Sequence, residues 1–289
     1  MARPLRIEYP DALYHVVSRG NARQRIFFDD KDRKFFLNMI ENAVQTHHLL
    51  CHAYCLMNNH FHLLLETPEA NLSRIMRDIV GNFTQKFNKR HKRVGHLFQG
   101  RYKAFIIEKE SYLLDVARYV VLNPVRAGMV NHPREWRWSS YRATAGMIKA
   151  PKWLQTHWIL RWFSKNHKKA QQHYRQFIIA GIKSDSPFKN AEGGVVLGDQ
   201  QFIDWVWEKT NGSEGIKEIS RSERIVGRKT LEEIFNNILN RKERDLAIIF
   251  ARKRCGYLNT EIALFLGIDH STVGKIVKGT YNNSHNNSQ

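Results

Sequence analysis

A chain of 289 residues has room for about two domains, and a hydrophobic fraction of 42% is ample for a packed core. The formal net charge of +19 and a pI near 10.0 create a field that draws polyanions, so nucleic acid is the expected partner ahead of an anionic membrane surface. No N-terminal run has signal-peptide length, no stretch approaches the roughly 20 apolar residues of a bilayer span, and three cysteines (Cys51, Cys55, Cys255) contain no CxxC pair. Composition therefore argues for a soluble, cytoplasmic protein with no membrane partner and against a disulfide scaffold.

Ala12 to Ser18 reads as a first strand, closed by the turn-prone Arg19-Gly20-Asn21. Asp29 or Asp30 can cap a helix whose apolar positions Phe36, Met39, Ile40, Ala43 and Val44 keep helical spacing. Two strand-like runs follow, Leu49 to Leu56 and His60 to Glu66, joined at Met57-Asn58-Asn59 as a hairpin. Asn71 can cap a long helix with Leu72, Ile75, Met76, Ile79, Val80, Phe83 and Phe87 on one stripe. A strand through Tyr102 to Ile107 and a helix from about Ser111 to Leu122 complete the order strand, helix, hairpin, helix, strand, helix. That order predicts an antiparallel sheet with helices on one face and the other face open for a site.

Periodicity weakens after Ala150. Trp153, Trp158 and Trp162 suggest the packing face of a helix, and Ser184 to Asp199, with Pro187 and Gly193-Gly194, suggests loop. Periodicity returns from Glu223. The expected division is a catalytic domain over 1–149, a linking region with some helix over 150–221, an all-α domain over 222–280 and a polar, disordered tail over 281–289.

Within the hairpin, His60 and His62 are two apart in a strand and project from one face, while Phe61, Leu63 and Leu65 project from the other. Two imidazoles on adjacent pleats can share one metal, and they equally fit a pair of histidines without one. Tyr119 and Asn123 are four apart on a predicted helix and share a face. A structural alternative makes Tyr119 core and Asn123 a cap before Pro124, which disfavours helical geometry at the residue preceding it. A neutral tyrosine is a poor nucleophile. A cation polarising a phosphodiester would lower the barrier to its attack, and an oxygen- and nitrogen-donor set suits Mg²⁺ or Mn²⁺. Cys51 and Cys55 would share one face of their strand near His48 and His52, which raises a zinc alternative. Four residues along a strand splay the sulfurs, and buried unpaired thiols are the preferred reading.

Four segments, Tyr14–Asn21, Met57–Glu66, Gly95–Lys103 and Tyr119–Gly128, resemble in matching order those of the REP-associated tyrosine transposases, a single-tyrosine HUH family of insertion-sequence-200-like enzymes. The resemblance covers roughly Pro4 to Tyr141. It implies a ferredoxin-like core, His60, His62 and Asn123 as metal ligands, and Tyr119 as the catalytic nucleophile. It also implies single-strand DNA cleavage and rejoining through a 5′-phosphotyrosine, with hairpin-forming repeat DNA as substrate. Arg19 and Asn21, in the first segment, are expected DNA contacts. A rolling-circle initiator or relaxase would share the chemistry, but no helicase domain or second catalytic tyrosine is apparent. A regulator that binds DNA without cutting it is the non-enzymatic alternative, and the presence of every catalytic residue type argues against it.

Lys86, Lys89, Arg90, Lys92 and Arg93 form a basic run at the end of the long helix, followed by Arg101 and Lys103. Such a run also fits a solvated face, but phosphate contacts are the preferred reading. Thr260 to Ile276 fits a helix-turn-helix, with small Ala263 at the helix crossing, Gly267 at the turn and Val273 and Ile276 in the core. Asp269-His-Ser-Thr-Val273 is similar to the duplex-reading signature of the DnaA C-terminal domain. That similarity implies that Asp269, His270, Ser271, Thr272 and Lys275 face the major groove of duplex DNA.

Overall fold

The computed structural model describes residues 7–191, 195–209, 230–236, 238, 240–253, 255 and 257–278. The expected tail at 281–289 and the expected domain start at 222 lie outside the described residues. Two compact units emerge, one spanning Ile7–Pro187 and one beginning at Phe188.

The first unit runs β1 (Ala12–Arg19), α1 (Asp30–His47), β2 (Leu50–Leu56), β3 (His60–Thr67), α2 (Leu72–Arg90), β4 (Lys103–Ile107) and α3 (Lys109–Arg126). Its strands pair antiparallel in the order β2-β3-β1-β4, the ferredoxin-like arrangement. Asp29 starts α1 by accepting from the backbone N–H groups of Lys31 and Asp32, and His48, at φ 53°, ends it in the left-handed region. The apolar stripe of α2 is buried along Leu72, Ile75, Met76, Ile79, Phe83 and Phe87. Phe36 joins α1 to the sheet and to α2, its ring centroid 4.7 Å from Phe61 and 5.1 Å from Phe83. Each such ring taken out of water contributes roughly 1.5–3 kcal/mol.

Alternation sends Phe61, Leu63 and Leu65 toward α1 and α2, and His60, His62, Leu64 and Glu66 to the opposite face. That second face is not open. Helix α3 lies against it, with Tyr119 at His62, and so the expected free face is where the tyrosine arrives. Lys109, at the start of α3, donates to Glu66 Oε1 at 2.5 Å, and Glu66 Oε2 lies 2.8 Å from His52 Nε2. Burial of the Glu66 carboxyl opposes ionisation, but the hydrogen bonds from His52 and Lys109 outweigh it and hold the group below its ordinary range.

Chain beyond the sheet seals the edge of β2. Leu56 donates its N–H to Trp138 O at 2.9 Å, and Gln155 donates to Cys51 O at 2.8 Å. Short helices α4 (Tyr141–Thr144) and α5 (Thr156–Leu160) and the longer α6 (His167–Ala180) follow. The sheet's unit therefore continues to Pro187, past the expected division at 149. The three tryptophans do not share a helix face. Trp153 packs on Tyr54 ahead of α5, Trp158 within α5 lies against His52, and Trp162 is exposed. The reason is that α5 spans only five residues.

In the second unit, helices Arg241–Lys253, Asn259–Leu266 and His270–Lys278 enclose a core of Ile248, Ala251, Tyr257, Ile262, Ala263, Val273 and Ile276. Gly267, at φ 65°, turns the chain between the last two, and Ile268 N–H bonds back to Ala263 O at 3.0 Å.

Gly20 marks the tightest point of the first unit. A Cβ there would sit 2.1 Å from Gln24 O and 2.9 Å from Ile26 Cγ2, in a turn where Gly20 N–H donates to Asn59 O at 2.8 Å. Gly20→Ala should therefore destabilise the protein by about 1–3 kcal/mol in urea unfolding; an unchanged midpoint would mean that the turn yields freely.

Candidate active site on the α3 face of the sheet

The register of β1 on β3 sets Arg19 opposite His60 and Val17 opposite His62, so Arg19, Val17 and His15 share a face with both histidines. On β4, Lys103 lies opposite Val17 and Phe105 opposite His15. Lys103 is thus a neighbour of the histidines on the same sheet face, and Arg101 is exposed just ahead of it.

The centre of the site is buried. His62 is 5% exposed and His15 2% exposed, and His62 Nδ1 lies 2.9 Å from His15 Nε2. His60 stands beside them with its ring centroid 5.0 Å from that of His62, its Nδ1 2.7 Å from Asn59 Oδ1. Tyr119 presents its ring near-perpendicular to both His15 and His62, at 5.9 Å in each case. Burial lowers His15 from 6.5 to about 3. Burial, helped by the Arg19 charge, lowers His60 to about 4. His62 is lowered well below 6.5, by burial first and then by the neighbouring His15 and His60.

Asn123 sits one turn beyond Tyr119 on α3. Pro124 lies inside the helix and brings no N–H to the carbonyl of Val120. The Asn123 side chain turns its Nδ2 back onto the helix, donating to Tyr119 O at 2.8 Å and reaching Val120 O at 3.5 Å. Backbone carbonyls only accept, so the amide nitrogen must face them and Oδ1 points away. Helix α3 continues through Pro124 to Arg126, four residues past the expected end at Leu122.

These residues fit a divalent cation in two respects. His62 Nε2 is buried and has no hydrogen-bond partner, and the imidazoles are held neutral, the form that ligates. Among the described residues no group of three His, Cys, Asp or Glu forms a metal cage; an oxygen from Asn123 and from a phosphate would complete the set. The zinc alternative at Cys51 and Cys55 fails on geometry. A bulge between Cys51 and Ala53 puts Cys51 opposite Leu65 and Cys55 opposite His62, on opposite sheet faces. Burial also raises both thiols above their ordinary range, which opposes the thiolate a metal needs.

Arg126 and the turn after β1 add cations that spacing did not single out. The Arg126 guanidinium lies 5.2 Å over the Tyr119 ring and donates to the carbonyls of Ser184 and Asp185. Arg23 and Arg25 are exposed beside Arg19 and Asn21, with Ala22 at φ 49° and Arg23 at φ 58° bending the turn. Arg93 Nη2 donates to Gln24 Oε1 at 3.1 Å, joining this turn to the end of α2.

The basic run itself divides. Lys86, Lys89 and Lys92 are exposed, Lys86 with its ammonium 4.9 Å from the Phe35 ring. Arg90 instead binds the carboxylates of Asp29 and Asp32, and His91 Nε2 lies 2.9 Å from Asp32 Oδ1. Arg90 therefore ties the end of α2 to the start of α1, and it holds the Asp29 carboxyl below the usual carboxylate range.

In the second unit, Asp269, His270, Ser271 and Lys275 are exposed and Thr272 is half-buried. Asp269 Oδ1 accepts from Ser271 N–H at 2.7 Å. Asp269 and Thr272 line an open cleft of about 700 Å³ with Asn240, Arg241, Arg244 and Ile268. Arg241 and Arg244 belong to the preceding helix and were invisible to the motif.

Residues 8–123 match the family described as "Transposase IS200 like". A curated REP-associated tyrosine transposase from Haemophilus influenzae is 24% identical over 134 residues, covering 40% of this chain and 76% of that protein. A solved structure of a REP-associated tyrosine transposase bound to a REP hairpin overlaps 52% of this chain and 89% of that chain, with a TM-score of 0.44 and 17% identity.

Neutral, buried imidazoles carry a linkage consequence. Folded-state values near 3 and 4 for His15 and His60 lie below 6.5, so the unfolded chain takes up protons first as the pH falls. The stabilisation of the metal-free protein should be complete above about pH 6.5 and decline toward pH 4, by up to about 1.4 kcal/mol per pH unit for each imidazole. Urea unfolding at stepped pH checks this, and a flat profile across that window would show that the histidines are not held neutral.

Proposed function

We propose that this chain, whose residues 8–123 match the IS200-like transposase family, cleaves and rejoins single-stranded DNA through a 5′-phosphotyrosine at Tyr119, on hairpin-forming repeat DNA. The observation that carries the reading is the contact of the Tyr119 ring with His62, whose Nε2 is buried and unpartnered. A single-strand phosphate seated there meets a nucleophile and two neutral imidazoles together.

His60, His62 and Asn123 Oδ1 would hold Mg²⁺ or Mn²⁺. When bound, the cation supplies Lewis-acid polarisation of the scissile phosphate. Tyr119 Oη attacks phosphorus and the bond to the 3′ oxygen breaks, leaving the 5′-phosphate esterified to tyrosine. The phenolic proton passes through solvent to the departing 3′ oxygen. Attack by another 3′ hydroxyl on the same phosphorus reverses the step and reseals the strand, releasing Tyr119. Arg126, over the Tyr119 ring, stands where it can offset charge building on the phosphate. Arg19, Asn21, Lys86, Lys89, Lys92, Arg93, Arg101 and Lys103 would track the strand's phosphates. The segment with Asp269, His270, Ser271, Thr272 and Lys275 would read duplex DNA, with Arg241 and Arg244 on flanking phosphates.

Tyr119→Phe should eliminate strand cleavage and the covalent adduct while retaining hairpin affinity, because it removes one oxygen and leaves the ring packing. A chelator or His60→Ala with His62→Ala should do the same, and Asn123→Ala should cost less because water can replace a neutral oxygen ligand. Nicking that survives in Tyr119→Phe would refute the mechanism, and full activity in chelator would refute the cation.

The two units predict a separable deletion. A chain ending at Pro187 should still cleave a single-stranded hairpin but lose discrimination between a matched and a scrambled duplex site. His270→Ala with Lys275→Ala in the full chain should weaken that discrimination, each good base contact contributing about 1–3 kcal/mol. A folded 1–187 fragment unable to cleave would make the second unit part of the catalytic apparatus.

A further inference from the structure

His15 is buried in β1, faces the candidate site and has no role in the chemistry above. Its ring and that of His62 are only 4° from parallel, with centroids 5.1 Å apart and nitrogens 2.9 Å apart. Face-to-face rings could not bring two ring nitrogens so much closer than their centres. The imidazoles therefore share a plane and meet edge to edge, the geometry of a straight N–H···N hydrogen bond. One proton lies between two neutral rings, and its side decides what His62 can do. If His15 donates, His62 carries its own proton on Nε2 and that nitrogen has no lone pair to give. If His62 donates from Nδ1, its Nε2 is the bare donor, and Nε2 is the atom left buried without a partner.

We propose that His15 is a positioning residue: its Nε2 accepts the Nδ1–H of His62, fixing the tautomer and plane of His62 so that Nε2 presents its lone pair to a divalent cation. The proposal rests on the reading of His62 as a cation ligand. Partners on the far nitrogen of a ligating histidine set its orientation and basicity, and their loss typically weakens metal affinity 10–100-fold. His15 also abuts the nucleophile, with the Tyr119 ring edge-on at 5.9 Å and Phe105 walling its other side at 5.7 Å. One side chain thus holds both the proposed ligand and the attacking residue.

The test is Mn²⁺ titration by calorimetry of the full-length protein, which reads the site without turnover. His15→Phe keeps a ring against Tyr119 but removes the acceptor, and should raise the Mn²⁺ Kd by about 10–100-fold. His15→Gln, whose side-chain oxygen can accept the Nδ1–H, should recover most of that loss. His62→Ala serves as the reference. If His62→Ala abolishes binding while His15→Phe keeps the wild-type Kd, the positioning role is wrong and the cation site stands. If His62→Ala binds Mn²⁺ as wild type does, the cation reading and this proposal fall together. Should His15→Phe not fold, ¹⁵N spectra of the imidazoles in the wild-type protein decide the matter. A proton on His62 Nδ1 is expected, and a proton on Nε2 would overturn the proposal.

Discussion

The antiparallel pairing of β1 with β3 is the constraint on which the candidate site depends. Val17 opposite His62 and Arg19 opposite His60 bring His15, both proposed ligands and a surface cation onto one face. A one-residue slip would turn every side chain of β3 over, driving the imidazoles against Phe36 and exposing Phe61 to α3. The register is protected because Phe61, Leu63 and Leu65 are each fully buried in their present orientation. Apolar burial on one face of β3 is thus what holds polar chemistry in place on the other.

Helix α3 must then be placed on that polar face, and polar contacts do much of this. The partly buried Lys109–Glu66–His52 network secures its first turn, with the Lys109 ammonium also 3.9 Å from the Trp158 ring. Such a network is a weak source of net stability, because desolvation offsets most of the attraction. Its geometry is demanding, however, and it specifies where α3 begins. Ten residues on, Tyr119 reaches His62 and His15. At the far end, Pro124 removes a backbone donor and the Asn123 amide moves into that space. The helix nonetheless runs on to Arg126, and the amide's turn toward the backbone carbonyls leaves Asn123 Oδ1 pointing away.

A charge of +19 does not translate directly into DNA contacts. Arg90 is held between Asp29 and Asp32 and acts as a strut between two helices. Among the described residues no carboxylate pairs with its neighbours Lys86, Lys89 and Lys92, whose field extends into solvent and is screened over about 8–10 Å at ordinary salt. Arg93, through Gln24, links that surface to the turn bearing Arg19, Arg23 and Arg25. The turn after β1 and the end of α2, far apart in sequence, therefore meet in one basic patch through folding.

By itself the sequence determined the strand and helix order as far as α3, the sharing of a face by His60 and His62, a helix cap at Asp29 or Asp30 and the chain reversal at Gly267. Each of these is local, set by a period of two or 3.6 residues or by one residue's backbone preference. The tertiary structure alone decided which sheet face α3 covers, that the chain at Trp138 and Gln155 seals the edge of β2, and that Cys51 and Cys55 part company at a bulge. It also decided the partners of His15 and Arg90. A single histidine in Leu-Tyr-His-Val-Val looks like any buried core residue until a strand nearly fifty residues away is laid beside it. The arginine looks like a phosphate ligand until α1 brings two carboxylates to meet it. Pairing, docking and ion-pair choice depend on residues far apart in the chain, and no local pattern encodes the distance that folding removes.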